Sequence, residues 1–244
     1  MPLSLHDEIT RKYYETTANR GHCPTREYYD DCADGLKLRL GPWMPSDPSV
    51  QCLDLACGCG GISYLLERGG FQHTIGVDLC REELEQARQF VRGELAHADV
   101  LEYLQAMRSA SVDFITAFNF LEHLNKDKLL SILQEARRVL RTGGSLVAMV
   151  PNAMSPFGGV TRHWDLTHEW AFTPNNFSQL AALTGFSSSV DFRECGPVAH
   201  GLVSGIRYLL WQLIHAGIAA WFLVEVANRR STVYTMDMLV RLRV

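Results

Sequence analysis

From Val50 to Pro151 the chain alternates between short apolar runs and amphipathic stretches, and nothing else in the sequence constrains the fold as much. VQCLDLA (50–56), HTIGVDL (73–79), part of HADVLEYL (97–104), VDFITAFNFLEHL (112–124) and SLVAMVP (145–151) read as buried strands or strands running into loops. Between them Ile62, Leu65 and Leu66, then Leu84, Ala87 and Val91, then Leu129, Leu130, Leu133, Ala136, Val139 and Leu140 recur at helical spacing. Gly69-Gly70 and Gly143-Gly144 end two of these helices. Near-continuous apolar strands separated by amphipathic helices predict an α/β fold, a mostly parallel sheet with helices on both faces. Ligands of such sheets bind beyond the carboxyl ends of the strands. The loops after Asp54, Asp78, Asp99, Phe118 and Val150 are therefore where function is expected.

The first of these loops is glycine-rich. Asp54-Leu55-Ala56-Cys57-Gly58-Cys59-Gly60-Gly61 leaves the first strand and opens the first helix. Glycines there let a backbone approach a ligand with no Cβ in the way. Asp78 ends the second strand, where a carboxylate can accept both hydroxyls of a ribose. A dinucleotide fingerprint would place a third glycine where this chain has Ser63. A carboxylate at Asp54 also suits an ammonium-bearing ligand better than a pyrophosphate. No Tyr-x-x-x-Lys pair follows the fourth strand, which also weighs against a nicotinamide-dependent oxidoreductase.

The ordered series DLACGCGG, GVDL, Ala98-Asp99-Val100 and FNFLEHL resembles the motifs of class I S-adenosylmethionine-dependent methyltransferases, over about residues 50–150. The resemblance implies a Rossmann-like seven-stranded sheet whose last strand runs antiparallel. It implies S-adenosylmethionine as cofactor. The loop of Asp54, Ala56, Gly58 and Gly60 would cradle the methionine moiety. Asp78, followed by Leu79, would hold the ribose. Asp99 and Val100 would lie near the adenine, and the stretch from Asn119 through Leu121 to Leu124 would line the acceptor side. SSSVDFRECGPV (187–198) and TVYTMDMLVRLRV (232–244) then read as the last two strands, with 199–231 an insertion between them. Residues 1–45 read as an N-terminal helical cap on a methyltransferase domain at 46–244. Tyr13, Tyr14, Tyr28 and Tyr29, with His22 and Arg26, either form a lid over the sulfonium or pack this cap on the domain.

Residues 150–174 form a long loop rich in Gly, Pro, Asn and Thr, and it is the expected acceptor loop. His163, Trp164, Asp165, His168 and Glu169 fall within it. Residues 167–186 resemble a segment of methyltransferases from bacterial surface-polysaccharide gene clusters and, more loosely, ubiquinone-biosynthesis O-methyltransferases. That resemblance implies a sugar or glycan hydroxyl as acceptor. Such a hydroxyl must lose a proton as it attacks. His163 and His168 are the candidate bases, with Asp165 or Glu169 orienting the ring, and Glu122-His123 forms a second constellation. A phenolic, quinone or amino acceptor is the alternative, as is a fold that binds cofactor without catalysis. The His and acidic spacing matches no established zinc pattern, so no metal is expected.

Residues 208–224, YLLWQLIHAGIAAWFLV, carry no formal charge, and Arg207 and Glu225 flank them. Gln212 and His215 interrupt the run, and a spanning helix between two strands of one sheet is topologically awkward. A helical insertion packing on the domain, on a second copy or on a membrane surface through 201–226 is expected instead. The formal net charge of −4 over 244 residues is not that of a strongly basic nucleic-acid binder. Seven cysteines without a C-x-x-C pair read as reduced thiols of a cytoplasmic protein. The N-terminal MPLSLHDEIT is too short and too charged for a signal peptide. With the apolar insertion, the location extends to the inner face of the membrane.

Overall fold

A computed structural model describes residues 25–226 and 233–244. The order begins with helix α1 (Arg26–Leu40) and a 3-10 turn (Gly41–Trp43), then β1 (Gln51–Leu55), α2 (Gly61–Arg68), β2 (His73–Asp78), α3 (Arg81–Ala87), β3 (Glu94–His97), α4 (Val100–Ala106) and β4 (Val112–Phe118). A 3-10 turn (Leu121–His123) leads to α5 (Lys126–Val139), β5 (Leu140–Pro151), α6 (Gly158–Arg162), α7 (Pro174–Thr184), β6 (Asp191–Glu194), α8 (Leu202–Val226) and β7 (Asp237–Arg243). The seven strands form one sheet in the order β3-β2-β1-β4-β5-β7-β6. β1 through β5 pair in parallel, and β7 is antiparallel to both β5 and β6. This is the seven-stranded, mostly parallel sheet that the sequence predicts, with a helix between the last two strands.

Alternate residues of the central strands feed two cores. Leu53, Leu55, Ile115, Ala117, Leu146 and Ala148 pack with α4, α5 and α7 on one face. Cys52, Phe114, Val147 and Leu239 pack with α1 and α2 on the other. Caps fix the helix starts. Asn125 accepts from the Lys128 amide at the head of α5, and Thr173 and Asn176 form a reciprocal capping box on α7.

Four boundaries differ from the sequence reading. Helix α5 ends at Val139 and β5 already begins at Leu140, so Gly143-Gly144 lie within the strand instead of closing the helix. The third strand lies at Glu94–His97, ahead of the stretch expected to hold it, and most of that stretch is α4. Asp99 accepts from the Leu101 and Glu102 amides, and this N-cap turns the chain into a helix. Helix α3 stops at Ala87, short of Val91, and the chain tightens there, the Gln89 and Phe90 amides donating to the Gln86 and Ala87 carbonyls three residues back. The long loop after β5 is shortened by α6, and an isolated bridge between Asn152 and Phe172 closes it at its base.

Candidate active site

Every strand end named by the sequence pattern comes to one edge of the sheet, because β1, β2 and β4 run parallel. Three residues there take left-handed backbone where β1 meets α2: Ala56 at φ 51°, Gly58 at φ 52° and Gly60 at φ 83°. Asn119, just past β4, does the same at φ 51°. Two of the four are not glycine, and such strain, costing about 1–2 kcal/mol per residue, collects where backbone must face a ligand.

Asp78 holds the glycine loop in place. Its carboxylate accepts from the Gly58 amide at 2.8 Å and from the Cys80 amide at 2.7 Å. Asp54, 2% exposed, accepts from the Ser63 amide at 3.1 Å, the Ser63 hydroxyl at 2.9 Å and the Thr116 hydroxyl at 2.8 Å. Asp54 thus directs its lone pairs to the strand–helix turn itself. The hydroxyl at position 63 explains the absent third glycine. Close approach of helix and strand is supplied instead by Gly76 of β2, where an added Cβ would lie 2.8 Å from Cys57 Sγ and 3.1 Å from Ser63 Oγ. Gly60 is equally confined, with Val91 Cγ2 2.8 Å from any added Cβ.

A third carboxylate, which the sequence reading missed, belongs to this group. Glu83 Oε2 lies 3.1 Å from where a Cβ on Gly58 would stand. Burial, reinforced by Asp78, pushes Glu83 up to about 7. Burial likewise raises Asp54 to about 6, against the pull of its Thr116 and Ser63 hydrogen bonds, and raises Asp78. Carboxylates of Asp78 and Glu83 beside the glycines of this loop, with Asp54 under its turn, suit a cationic ligand, and S-adenosylmethionine carries both an ammonium and a sulfonium. Leu79 stands 52% exposed beside Asp78, while Val100 is buried and Asp99 caps α4. Asn119 is exposed, and Leu121 is fully buried.

Helix α1 covers the loop from the other side. The Tyr29 hydroxyl donates to the Cys59 carbonyl, and its ring packs on Tyr64 at 5.3 Å and Phe90 at 4.7 Å. Tyr28 is 50% exposed. Tyr13, Tyr14 and His22 lie outside the described residues.

Beyond β4 a second cluster forms from the 3-10 turn and the acceptor loop. The Glu122 carbonyl accepts from the Glu169 and Trp170 amides, which docks the loop on the turn. His123 and His168 rings then meet edge-on at 4.8 Å. His168 Nδ1 lies 2.9 Å from the Thr161 carbonyl, a pairing that needs a proton on Nδ1 and turns the Nε2 lone pair to other work. His123 Nδ1 lies 2.6 Å from the Thr167 hydroxyl, whose other partner is Asp165 Oδ1 at 2.6 Å. Burial pushes Asp165 up, but the Thr167 bonds and the nearby His123 and His168 outweigh it and hold the acid below its ordinary value.

Glu122 is 1% exposed, and its Oε2 has no hydrogen-bond partner among the described residues. Burial raises it to about 8. Ligand atoms of Glu122, His123 and His168 all lie within 4.8 Å of one another, a donor set that a divalent transition metal also accepts. Of the acceptor-loop residues expected to act together, the fold brings Asp165 and His168 to His123 and Glu122. His163 stands exposed at the end of α6, the Glu169 side chain is exposed, and neither is among the ligand atoms that Glu122, His123 and His168 bring together.

Residues 52–144 match a family described as a methyltransferase domain. Among curated proteins the chain is 25% identical over 121 residues to the mRNA cap guanine-N(7) methyltransferase of Schizosaccharomyces pombe, covering 44% of this chain and 34% of that protein. It is 23% identical over 136 residues to a probable fatty acid methyltransferase of Pseudomonas putida, covering 54% and 32%. The chain therefore spans about a third of the length of these relatives. A SAM-dependent methyltransferase from Archaeoglobus fulgidus superposes with a TM-score of 0.64 at 17% identity, covering 98% of this chain and 99% of that one. Haemonchus contortus phosphoethanolamine N-methyltransferase 2, solved with S-adenosyl-L-methionine, gives 0.61 at 16% identity over 99% and 60%. The chain thus has the fold of these methyltransferases, and its residues 52–144 match the methyltransferase domain family.

Proposed function

We propose that this chain is an S-adenosylmethionine-dependent methyltransferase acting on oxygen, with a sugar or glycan hydroxyl as acceptor. The observation that carries the reading is the convergence of His123, His168, Asp165 and buried Glu122 beyond β4, next to the strained Asn119 and the loop of β1. A sulfonium methyl is already activated, so the chemistry the cofactor supplies is a methyl group with a neutral thioether as leaving group. The chain's own residues position and deprotonate. Gly58, Gly60 and the carboxylates of Asp78 and Glu83 line a cradle for the cofactor's cationic end, and Asp54 holds the turn beneath it through Ser63 and Thr116. Asp78 and Leu79 suit the ribose, Asp99 and Val100 the adenine, and Asn119 and Leu121 the wall toward the acceptor.

The acceptor oxygen forms the new C–O bond as the C–S bond breaks, and its proton passes to an imidazole. His168 is set for this by the Thr161 carbonyl, which keeps the proton on Nδ1. His123 is linked through Thr167 to Asp165, which stabilises the imidazolium that forms. His163 and Glu169 have no part in this step. The reading places the enzyme in the cytoplasm, where its free thiols stay reduced.

The test is methyl transfer from labelled S-adenosylmethionine to a panel of glycans, phenols and amines, with and without chelator. Transfer to glycan hydroxyls that persists with chelator and collapses in a His123→Asn, His168→Asn double variant supports the reading. Loss on chelation assigns the Glu122, His123 and His168 group to a metal instead. Transfer confined to amines, untouched by the double variant, overturns it.

A further inference from the structure

Helix α8 is apolar on the wrong side. It touches the domain along one stripe, where the Trp211 indole donates to Glu194 Oε2 at 2.8 Å, His215 lies 3.6 Å from Glu194 Oε1, and the His215 and Phe222 rings approach Tyr234. At about 100° per residue, the side directly opposite carries Leu202, Ile206, Leu209, Leu213 and Val224, each more than half exposed. An adjoining stripe carries Val203, Leu210, Ile214 and Trp221, also more than half exposed. A surface helix of a soluble domain has the reverse arrangement. By length and composition Leu202–Glu225 could cross a membrane. Crossing is incompatible with its attachments. Trp211 and His215, near its middle, are fixed to Glu194, and its two ends join strands that pair side by side.

The strand directions place this helix. β6 runs parallel to β1–β5, since both β5 and β6 are antiparallel to β7. The last residue of β6, Glu194, and the first of β7, Asp237, therefore lie at the same end of the sheet as the glycine loop, and Asp237 pairs in register with Pro151. Asn152 ties the two regions together, its side-chain amide donating to the Val233 and Thr235 carbonyls. The acceptor loop that starts there exposes apolar side chains of its own: Phe157 at 61%, Trp164 at 75% and Leu166 at 85%.

We propose that α8 and the tip of the acceptor loop seat this protein in the plane of a lipid bilayer surface, with the acceptor site at the membrane. The occupant is lipid because two adjoining stripes of the helix lie open, more than the narrow seam a second helix would cover. Arg207, exposed near the start of α8, adds a positive charge that anionic headgroups attract. Resting on the methyltransferase reading, the acceptor is then a glycan carried on a lipid anchor.

The experiment is flotation of the full chain with vesicles of equal parts phosphatidylcholine and phosphatidylglycerol, beside a Leu209→Gln, Leu213→Gln, Val224→Gln variant. The wild type is expected to float, and the variant to partition at least about tenfold less, with its melting temperature and S-adenosylhomocysteine affinity unchanged. A wild type that stays behind, or a variant that floats equally well, overturns the proposal. So does a dimer that the variant dissolves without any vesicle binding, since a second copy would then cover the face. Methyl transfer should favour a vesicle-embedded lipid-linked glycan over the same glycan in solution, and the variant should lose that preference. Equal rates with intact flotation overturn the acceptor assignment alone. Flotation without S-adenosylhomocysteine binding would instead refute the methyltransferase reading and leave the seating intact.

Discussion

The glycine loop and the acceptor loop leave the same end of one sheet, yet they are built on opposite terms. Around the glycine loop almost every polar group is spoken for within the chain: Asp54 by Ser63 and Thr116, Asp78 by Gly58 and Cys80, the Cys59 carbonyl by Tyr29. Beyond β4, by contrast, the 3-10 turn holds a buried Glu122 carboxylate oxygen with no hydrogen-bond partner among the described residues, and the 150–174 loop docked on it turns large apolar side chains to solvent. A region that must hold one unvarying ligand can be completed in advance. On the proposed reading, the region that meets the acceptor leaves one carboxylate oxygen and its apolar rim open.

Breaking the comparison at the acceptor end should have the largest effect. Replacing His168 by Asn is expected to lower kcat about 100-fold or more, within the range for a lost general base, while S-adenosylhomocysteine affinity holds. Rates that recover as pH is raised would fit a base that hydroxide replaces. At the cofactor end, Asp78→Ala removes the proposed ribose contact and the anchor of Gly58 together. Calorimetry should show S-adenosylhomocysteine binding weakened about 30- to 150-fold, from about 2–3 kcal/mol for hydrogen bonds to a charged group. Gly60→Ala puts a Cβ against Val91 at a positive φ, and urea unfolding should show a loss of about 2–3 kcal/mol.

Glu122→Gln sharpens the contrast through pH. A buried acid raised to about 8 prefers to fold protonated, whereas the unfolded chain ionises near 4.5, so its burden on stability grows as pH rises between those values. The variant should gain stability relative to wild type across that window, by at most about 1.4 kcal/mol per pH unit, and show no gain below pH 4.5. A difference that stays flat with pH would mean Glu122 is ionised in the folded protein. The smallest effect belongs to His163→Ala, with kcat within about twofold of wild type, because His163 is exposed at the end of α6.

How much of this was legible in the sequence follows the same division. The sheet and the glycine loop were readable because period and backbone chemistry are local: apolar runs mark strands, and glycines mark left-handed turns. Asp54, Gly58, Gly60 and Asp78 could be named from spacing alone. The third strand was misplaced because Asp99 reads equally as a strand end and as a helix cap, and only the paired amides of Leu101 and Glu102 decide. Glu83 escaped notice because its spacing is that of an ordinary solvated helix face, and its burial depends on Gly58 lying against it. His123 and His168 were both named, but no sequence distance says that Glu169 and Trp170 dock on Glu122 and so bring the two rings together. His163, near His168 in the chain, is left outside for the same reason.

Ser63 and Gly76 share a single small volume, which binds the histories of two distant positions. A hydroxyl at 63 is affordable only while 76 has no side chain, and any residue larger than glycine at 76 would press on both Ser63 Oγ and Cys57 Sγ. Relatives that restore a glycine at the helix position free space at the strand position, and lose the hydroxyl that holds Asp54. Substitutions at 63 and 76 should therefore travel together across an alignment, and the residue facing Asp54 from β4, here Thr116, should change with them.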